Sequence, residues 1–281
     1  MKAPILLLSK KLFPGQNKIY CLLLMLYFLC STFKTTAQEN RNKISLEIIR
    51  GAAKVFRRSI RSNYALILTA TAIKIGDTIE TVKDSKARIK YSDGTTFKVK
   101  PLTRIKLVPG GLNLKYGNIW FKVFKSGKFF KIQTPTMVVG IKGTAFDISA
   151  SEGGESSVVK VYEGMVSVTP EYDKSKVTIV KSGMAATVKK DSTIVNLHKF
   201  YYNFAAKEWR NRIWKPSKKS PHLKAYESYI RLKRDPETKN LAATAYKIYK
   251  KLKREKGFLK KQKTPEGKNK GDTPVVEWNW R

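Results

Sequence analysis

The stretch Thr134–Pro170 reads TPTMVVGIKGTAFDISASEGGESSVVKVYEGMVSVTP, and its texture decides the fold. Apolar residues alternate in runs of strand length, and glycine interrupts them at close intervals. Alternation with period two over four to eight residues marks a half-buried β-strand. Glycine supplies the positive φ that tight turns between such strands require. A compact Gly-x-Lys-Gly-Thr-x-Phe element, Gly140–Phe146, sits at the centre of the stretch.

The same texture extends outward to about Ile44 and Val195. Ala87, Ile89 and Tyr91 precede Asp93-Gly94, and Phe97 and Val99 follow. Ile105 and Leu107 precede Pro109-Gly110-Gly111, and Leu112 and Leu114 precede Gly117-Asn118. Ile119, Phe121 and Val123 lead to Ser126-Gly127, and Phe130 and Ile132 to Thr134-Pro135. Turn signals at this spacing predict a mainly β module, a sandwich, barrel or solenoid, over residues 44–195. Asp93-Gly94 predicts a type I′ hairpin turn, in which both central residues have positive φ. Positions out of phase with the apolar ones are largely lysine: Lys90, Lys98, Lys100, Lys106, Lys115, Lys122 and Lys131. One face of the sheet is therefore expected to bury Val, Ile and Phe and the other to present ammonium groups. Arg57–Asn63 (RRSIRSN) is too charged for a strand core and reads as a loop.

Past Val195 the period changes. Leu197, Phe200, Tyr201, Phe204, Trp209 and Ile213 recur at roughly three- and four-residue intervals, which predicts an amphipathic helix over Asn196–Trp214. The segment 216–221 (PSKKSP) breaks it. Further helices are expected over Leu223–Arg234 and Lys239–Leu259, the latter with Leu241, Ala245, Ile248, Tyr249 and Leu252 on its apolar side. Residues 196–259 thus read as a basic α-helical appendage. Lys260–Arg281 reads as a disordered tail rich in Lys, Gly and Pro, although Val275–Trp280 (VVEWNW) is unusually apolar for a free end.

The 281 residues include 57 Lys and Arg against 21 Asp and Glu, a formal charge of +36. Such an excess favours polyanionic partners: nucleic acid, anionic headgroups or acidic wall polymers. The N-terminus selects among them. Met1–Lys18 holds four lysines and no acid, Ile19–Phe33 is almost purely apolar, and a polar Lys34-Thr-Thr-Ala37 follows. This predicts a secretory signal peptide over residues 1–37, cleaved after Ala37. The apolar run is short for a spanning helix, which needs about 20 residues; an uncleaved anchor is the alternative. Leu29 before Cys30 argues against lipid modification of that cysteine. Both cysteines, Cys21 and Cys30, lie in the leader, so the mature chain is expected to use no disulfide and no thiolate. Export to the periplasm or outer envelope of a Gram-negative-type bacterium argues against nucleic acid as the partner.

Several elements, in order and spacing, resemble the FecR family of bacterial envelope proteins. They are Thr134-Pro135 before a Val-rich run, the Gly-Thr-x-Phe of Gly143–Phe146, and the Glu-Gly-x-Val-x-Val of Glu163–Val168. Upstream, Ile75–Ile79 (IGDTI) is similar to the family's Gly-Asp-x-Ile step. Ala87–Thr96 (ARIKYSDGTT) is similar to its strand, Asp-Gly turn and strand, and Lys181–Met184 (KSGM) to its late glycine turn. The resemblance implies a compact all-β, solenoid-like module. It marks Gly140, Lys142, Gly143, Thr144, Phe146, Glu163 and Gly164 as motif positions. Their expected role is structural: glycine gives positive φ or close backbone approach, and threonine satisfies the turn's own backbone groups. Lys142 stands where the family often has arginine; it keeps the charge and loses the planar five-donor fork. The best-known members are transmembrane anti-sigma regulators with a cytoplasmic sigma-binding domain. Here only about 18 residues precede the apolar run, too few to fold alone, so a solitary exported module without that role is expected.

No catalytic, metal or cofactor site is predicted. His198 and His222 are the two histidines, and neither has a carboxylate nearby in sequence. No His-x-x-x-His, Cys-x-x-Cys or Gly-x-Ser-x-Gly spacing occurs. Asp93, Asp147, Glu163 and Asp191 read as turn or edge residues. A wall-polymer hydrolase built on paired carboxylates is a remote alternative. What stands out is residues 198–281, with 24 Lys and Arg against 8 Asp and Glu. Lys250, Lys251, Lys253, Arg254 and Lys256, then Lys260, Lys261 and Lys263, are candidate polyanion-binding residues. Just upstream, Tyr201, Tyr202, Phe204, Trp209 and Trp214 interleave with Lys207, Arg210, Arg212 and Lys215. Such a mixture suits an anionic interface or docking of this segment onto the β module. The sequence therefore predicts a non-catalytic, exported envelope protein whose basic helical tail meets an anionic polymer or membrane surface. A signalling protein that senses a partner at a β edge is the alternative.

Overall fold

In the computed structural model, residues 44–57, 63–123, 130–201, 209, 214 and 217–262 are described. The strands are β1 (Ile44–Arg50), β2 (Ala53–Phe56), β3 (Ala65–Ile67), β4 (Ala70–Ile73), β5 (Thr78–Thr81), β6 (Lys86–Tyr91), β7 (Thr96–Val99), β8 (Thr103–Val108) and β9 (Gly111–Lys122). They continue with β10 (Phe130–Gln133), β11 (Met137–Ile141), β12 (Ala145–Ala150), β13 (Ser156–Glu163), β14 (Met165–Pro170), β15 (Thr178–Lys181), β16 (Met184–Lys189) and β17 (Asn196–Lys199). They build two open sheets. The front sheet runs β4-β1-β6-β7-β9-β12-β13-β16-β17. The back sheet runs β3-β2-β5-β8-β9-β10-β11-β14-β15. Every pairing is antiparallel except that of β9 with β10. The chain passes back and forth between the layers, so both sheets grow in the same direction along the sequence, as a solenoid does.

Side-chain alternation places the apolar residues of both sheets in the single space between them. Leu46, Ile89, Phe97 and Val159 enter from the front, and Ile79, Ile105, Val139 and Val168 from the back, all fully buried. Aromatic rings fill the middle. Phe121 and Phe146 stack at 4.9 Å and 5°, and Phe97 lies 4.5 Å from Phe121.

β9 belongs to both layers. Its first half, Gly111–Tyr116, pairs with β8 and β10, and its second half, Gly117–Lys122, with β7 and β12. Leu112 and Leu114 face the core in one half, Ile119 and Phe121 in the other, so the alternation shifts by one residue between them. The extra residue is Lys115: Arg104 pairs with Tyr116 while Ile105 pairs with Leu114. A bulge of this kind bends the strand and sharpens its twist. Gly117 follows at φ +100°, where a Cβ would lie 2.3 Å from Thr103 Oγ1 and 2.5 Å from Thr103 Cα. Only glycine meets both requirements. Buried threonines stitch the crossing. Asn118 N–H donates to Thr103 Oγ1 at 3.0 Å, Thr103 N–H to Thr81 Oγ1 at 3.1 Å, and Thr81 Oγ1 to the Lys100 carbonyl at 2.6 Å.

Several sequence expectations are corrected. Gly117-Asn118 is a bend inside one long strand, because the strand on either side finds a partner in a different sheet. The Asp93-Gly94 hairpin is not type I′. Gly94 has φ +86° and Asp93 does not share the positive region; Gly94 N–H reaches the Tyr91 carbonyl and Tyr91 N–H the Thr95 carbonyl. The loop is a three-residue turn closed by a left-handed glycine. The lysines lie on the outer faces as expected, but Lys98 is buried. Asn196–Lys199 is not helical: it pairs with β16 as the last front strand. Of the rest of the helix expected to Trp214, only Phe200, Tyr201, Trp209 and Trp214 are described. Residues 58–62 and the Ser126-Gly127 turn also lie outside the described residues.

The chain divides into two compact units at Ser217–Lys218. The second holds α1 (Pro221–Arg234), a 3-10 turn (Lys239–Leu241) and α2 (Ala242–Gln262). Pro221 opens α1, where its missing N–H costs nothing. Arg231, Lys233 and Arg234 sit in its last turn, where the helix dipole favours cations.

Replacing Gly117 by alanine is expected to cost about 2–4 kcal/mol, from backbone strain plus the collision with Thr103. Urea denaturation measures it; a loss under about 0.5 kcal/mol would show that the crossing tolerates a side chain.

Candidate functional site

The family-motif residues meet at one corner of the β unit. Gly140 is a buried residue of β11 paired with Lys131 and Ser167, and its φ is not positive. Gly143 turns the chain into β12 at φ +66°, and Gly164 turns it from β13 into β14 at φ +81°. The two turns lie against each other: a Cβ on Gly164 would stand 3.3 Å from the Gly143 carbonyl and from Thr144 Oγ1. Buried Thr144 donates its hydroxyl to the Met165 carbonyl at 2.8 Å. Phe146 points into the core, while Lys142 and Glu163 are exposed. The Gly-Asp step works similarly. Gly76 has φ +95°, and the buried Asp77 carboxylate takes a forked hydrogen bond from Arg57, with Nε to Oδ1 at 2.7 Å. It also accepts the Lys74 N–H at 2.8 Å. Gly143, Thr144 and Gly164 thus form two packed turns and Phe146 fills the core, while Lys142 and Glu163 face solvent.

A second constellation lies on the outer face of the front sheet. Strand register sets Glu47 opposite Arg88, Arg88 opposite Lys98, Lys98 opposite Trp120 and Trp120 opposite Asp147. The row continues through Lys160 and Ala185 to His198. Trp209 and Trp214 lie over the middle of this row, both buried and stacked at 5.5 Å. They pack with Ala145 and Tyr162, flanked by Ile49, Trp120 and Phe200. Trp209 Nε1 donates to Asp147 Oδ2 at 3.2 Å, and the Tyr162 hydroxyl donates to the same oxygen. Lys98 Nζ donates to the Trp209 carbonyl at 2.6 Å and stands 4.2 Å from the Trp120 ring centre. Lys100 and Lys86 lie 4.7 and 5.5 Å from the rings of Trp209 and Trp214.

Asp147 is therefore not a turn or edge residue: it occupies a central strand and is buried by Trp209. Burial pushes its carboxyl above the usual range, against the opposing hydrogen bonds of Tyr162 and Trp209 and the charges of Lys160 and Lys100. Burial, reinforced by Arg88 and Lys122, pushes the Lys98 ammonium down to about 8. The constellation holds Trp209 and Trp214 against the sheet. Tyr201, grouped with these tryptophans in the sequence, is instead 90% exposed; Tyr202 and Phe204 lie outside the described residues. Period-two counting could have put Asp147 on the outer face beside Trp120. No sequence signal links it to Trp209.

The helical unit carries the candidate polyanion-binding residues. α1 and α2 meet along Ala225, Ser228, Leu232, Leu241, Ala242 and Ala245, all buried. Thr238 donates its hydroxyl to the Leu232 carbonyl at 3.2 Å and ties the connection. From Lys218 to Lys256 there are thirteen Lys and Arg against four Asp and Glu. Lys250, Lys251, Lys253, Arg254 and Lys256 are exposed on α2. Lys250 lies 4.8 Å from the Tyr246 ring centre and Lys253 5.9 Å from that of Tyr249. The α2 backbone continues through Lys260 and Lys261; Lys263 lies outside the described residues. Among the described residues no group of three or more His, Cys, Asp or Glu could hold a metal ion. None of the described helices is long and apolar enough to cross a membrane.

The model of the family described as FecR protein matches residues 77–167, from the Gly-Asp step through the Gly164 turn into β14. The match lies within the β unit, where the chain is similar to the FecR family over less than half of its length. Two crystal structures from Parabacteroides distasonis ATCC 8503, both given the provisional description of anti-sigma factor, are similar at 18% identity. Their TM-scores are 0.41 and 0.40, and the alignments cover 47% and 46% of this chain. They cover 64% and 62% of the other chains, so this chain spans less than two thirds of their length. No curated protein matches the sequence.

Because burial raises the Asp147 carboxyl, the folded state keeps its proton over a pH window in which the unfolded chain has lost it. The associated stability is complete below the unfolded carboxylate value and falls as pH rises through the folded one. Asp147→Asn removes this titration and keeps an acceptor for Trp209. In urea melts from pH 4 to pH 8, the variant's stability relative to the wild type is expected to rise with pH. A difference independent of pH would show that the carboxyl titrates normally.

Proposed function

We propose that this is a non-catalytic cell-envelope protein in which the FecR domain is a regulatory module and the basic helical hairpin holds the chain at an anionic surface. The observation that carries this reading is the concentration of cations on the hairpin, with Lys250, Lys251, Lys253, Arg254 and Lys256 exposed along one helix. Cations at that density repel one another unless an anionic partner is near. The leader-like N-terminus supports export, so the surface would be a wall polymer or a headgroup layer of the envelope. The buried, fully engaged Asp147 cluster supports a structural role for the most chemically rich part of the β unit.

A second reading, reception of a protein partner by the β domain, is favoured by the C-terminal end of the two sheets. Among the described residues β15 and β17 pair on one side only, and Val177, Ile179, Ile194 and Leu197 are exposed there. Apolar edge strands accept an added strand. The two readings are compatible, since one uses the hairpin and the other the β unit.

Sedimentation of the full chain with isolated envelopes tests the main reading. Binding is expected to fall about tenfold or more between 50 and 300 mM salt, as screening shortens the reach of each charge to less than about 8 Å. Replacing Lys250, Lys251, Lys253 and Arg254 by glutamine is expected to remove most low-salt binding with circular dichroism unchanged. Salt-independent binding, or full binding by the variant, would refute it. Mass spectrometry of the protein recovered from the envelope of expressing cells is expected to read an N-terminus at Gln38.

A further inference from the structure

The hairpin has a feature that charge alone does not explain. Tyr226 and Tyr229 lie one turn apart on α1, and Tyr246 and Tyr249 one turn apart on α2. Their rings form a closed circuit: Tyr226 to Tyr229 at 6.1 Å, Tyr229 to Tyr246 at 5.0 Å, Tyr246 to Tyr249 at 5.9 Å and Tyr249 to Tyr226 at 5.0 Å. The helix seam is already filled by Ala225, Ser228, Ala242 and Ala245, whose small size brings the backbones together. The four rings flank that seam. Tyr226 and Tyr246, at opposite corners of the circuit, remain 42% and 37% exposed. Two cations stand over its rings, Lys250 Nζ 4.8 Å from the Tyr246 centre and Lys253 Nζ 5.9 Å from that of Tyr249.

We propose that Tyr226, Tyr229, Tyr246 and Tyr249, with Lys250 and Lys253, form a binding platform for an acidic glycan, a saccharide chain bearing carboxylate or phosphate groups. The proposal rests on the reading of the hairpin as the element that meets an anionic surface, and it names the ligand class and the residues. A pyranose ring offers a face of C–H groups that packs on an aromatic face, and its hydroxyls suit the polar tips that tyrosine carries. The acidic groups complement Lys250 and Lys253. A bilayer is a poorer match. A helix lying in a headgroup layer buries Trp, Phe and Leu, whereas the large apolar side chains exposed among the described hairpin residues are Leu223 and the two tyrosines. A featureless polyanion would gain nothing from the ring circuit.

The test uses the full chain and three probes: oligogalacturonate, polyglutamate of matched charge, and phosphatidylglycerol vesicles. The double variant Tyr226→Leu with Tyr246→Leu keeps bulk and helix propensity, and circular dichroism checks that the hairpin is intact. Oligogalacturonate affinity is expected to drop about tenfold, or 1.4 kcal/mol, in the variant, while polyglutamate affinity stays within about twofold. Lys250→Gln with Lys253→Gln is expected to weaken both polymers. Equal affinities for the two polymers, unmoved by loss of the tyrosines, would overturn the glycan platform and leave the anionic-surface reading standing. A tyrosine-dependent loss on vesicles but not on oligogalacturonate would overturn it in favour of a lipid surface. Failure of the wild type to bind any probe would overturn both.

Discussion

The β unit depends on one strand being shared by two layers. β9 gives its first half to the back sheet and its second to the front, so a single backbone sets the register of both. The layers cannot slide past each other without breaking its ladders. The constraint is local and steric: a bulge at Lys115 and a left-handed residue at 117 that touches Thr103. Around it the threonine hydroxyls of Thr81 and Thr103 take up backbone groups that the crossing removes from regular pairing. The rings of Phe97, Phe121 and Phe146 then fill the space just beyond, and the neighbouring strands inherit their positions from that packing.

Much of this was legible in the sequence. Strand alternation located most of the β elements and gave the correct inward residues, because period two is enforced by burial between two sheets. The end of α1 at Arg234 matches the helix expected over Leu223–Arg234, since Pro236 cannot continue it. What failed was each feature that needs a partner from elsewhere. Gly117-Asn118 reads as a turn because local sequence cannot show that the two halves of a strand join different sheets. Asn196–Lys199 reads as helix because Leu197, Phe200 and Tyr201 have helical spacing, whereas β16 offers a free edge to that segment and wins it for the sheet.

The site was less legible than the fold. The motif glycines could be assigned to backbone geometry from their type, yet Gly140 shows that a motif glycine need not have positive φ. Lys98 reads as an outward, solvent-facing lysine and Asp147 as a turn or edge residue, yet both are buried. Trp209 reaches both from far along the chain, accepting from one and donating to the other. The tyrosine circuit was also hidden: only Tyr249 was singled out on its helix, and the pairing across the hairpin turns four ordinary residues into one surface.

The winding of the chain has a consequence for assembly. Nearly every strand pairs with one that lies at most a few elements away in sequence, and each new pair of strands is laid on the edge left by the previous one. Such local pairing keeps loop-closure entropy small. A chain delivered N-terminus first can therefore crystallise its sheets progressively, like courses of brick, with β9 as the keystone between them. At every stage the growing front is an open edge. Among the described residues β15 and β17 are that front, the last strands laid on the back and front sheets.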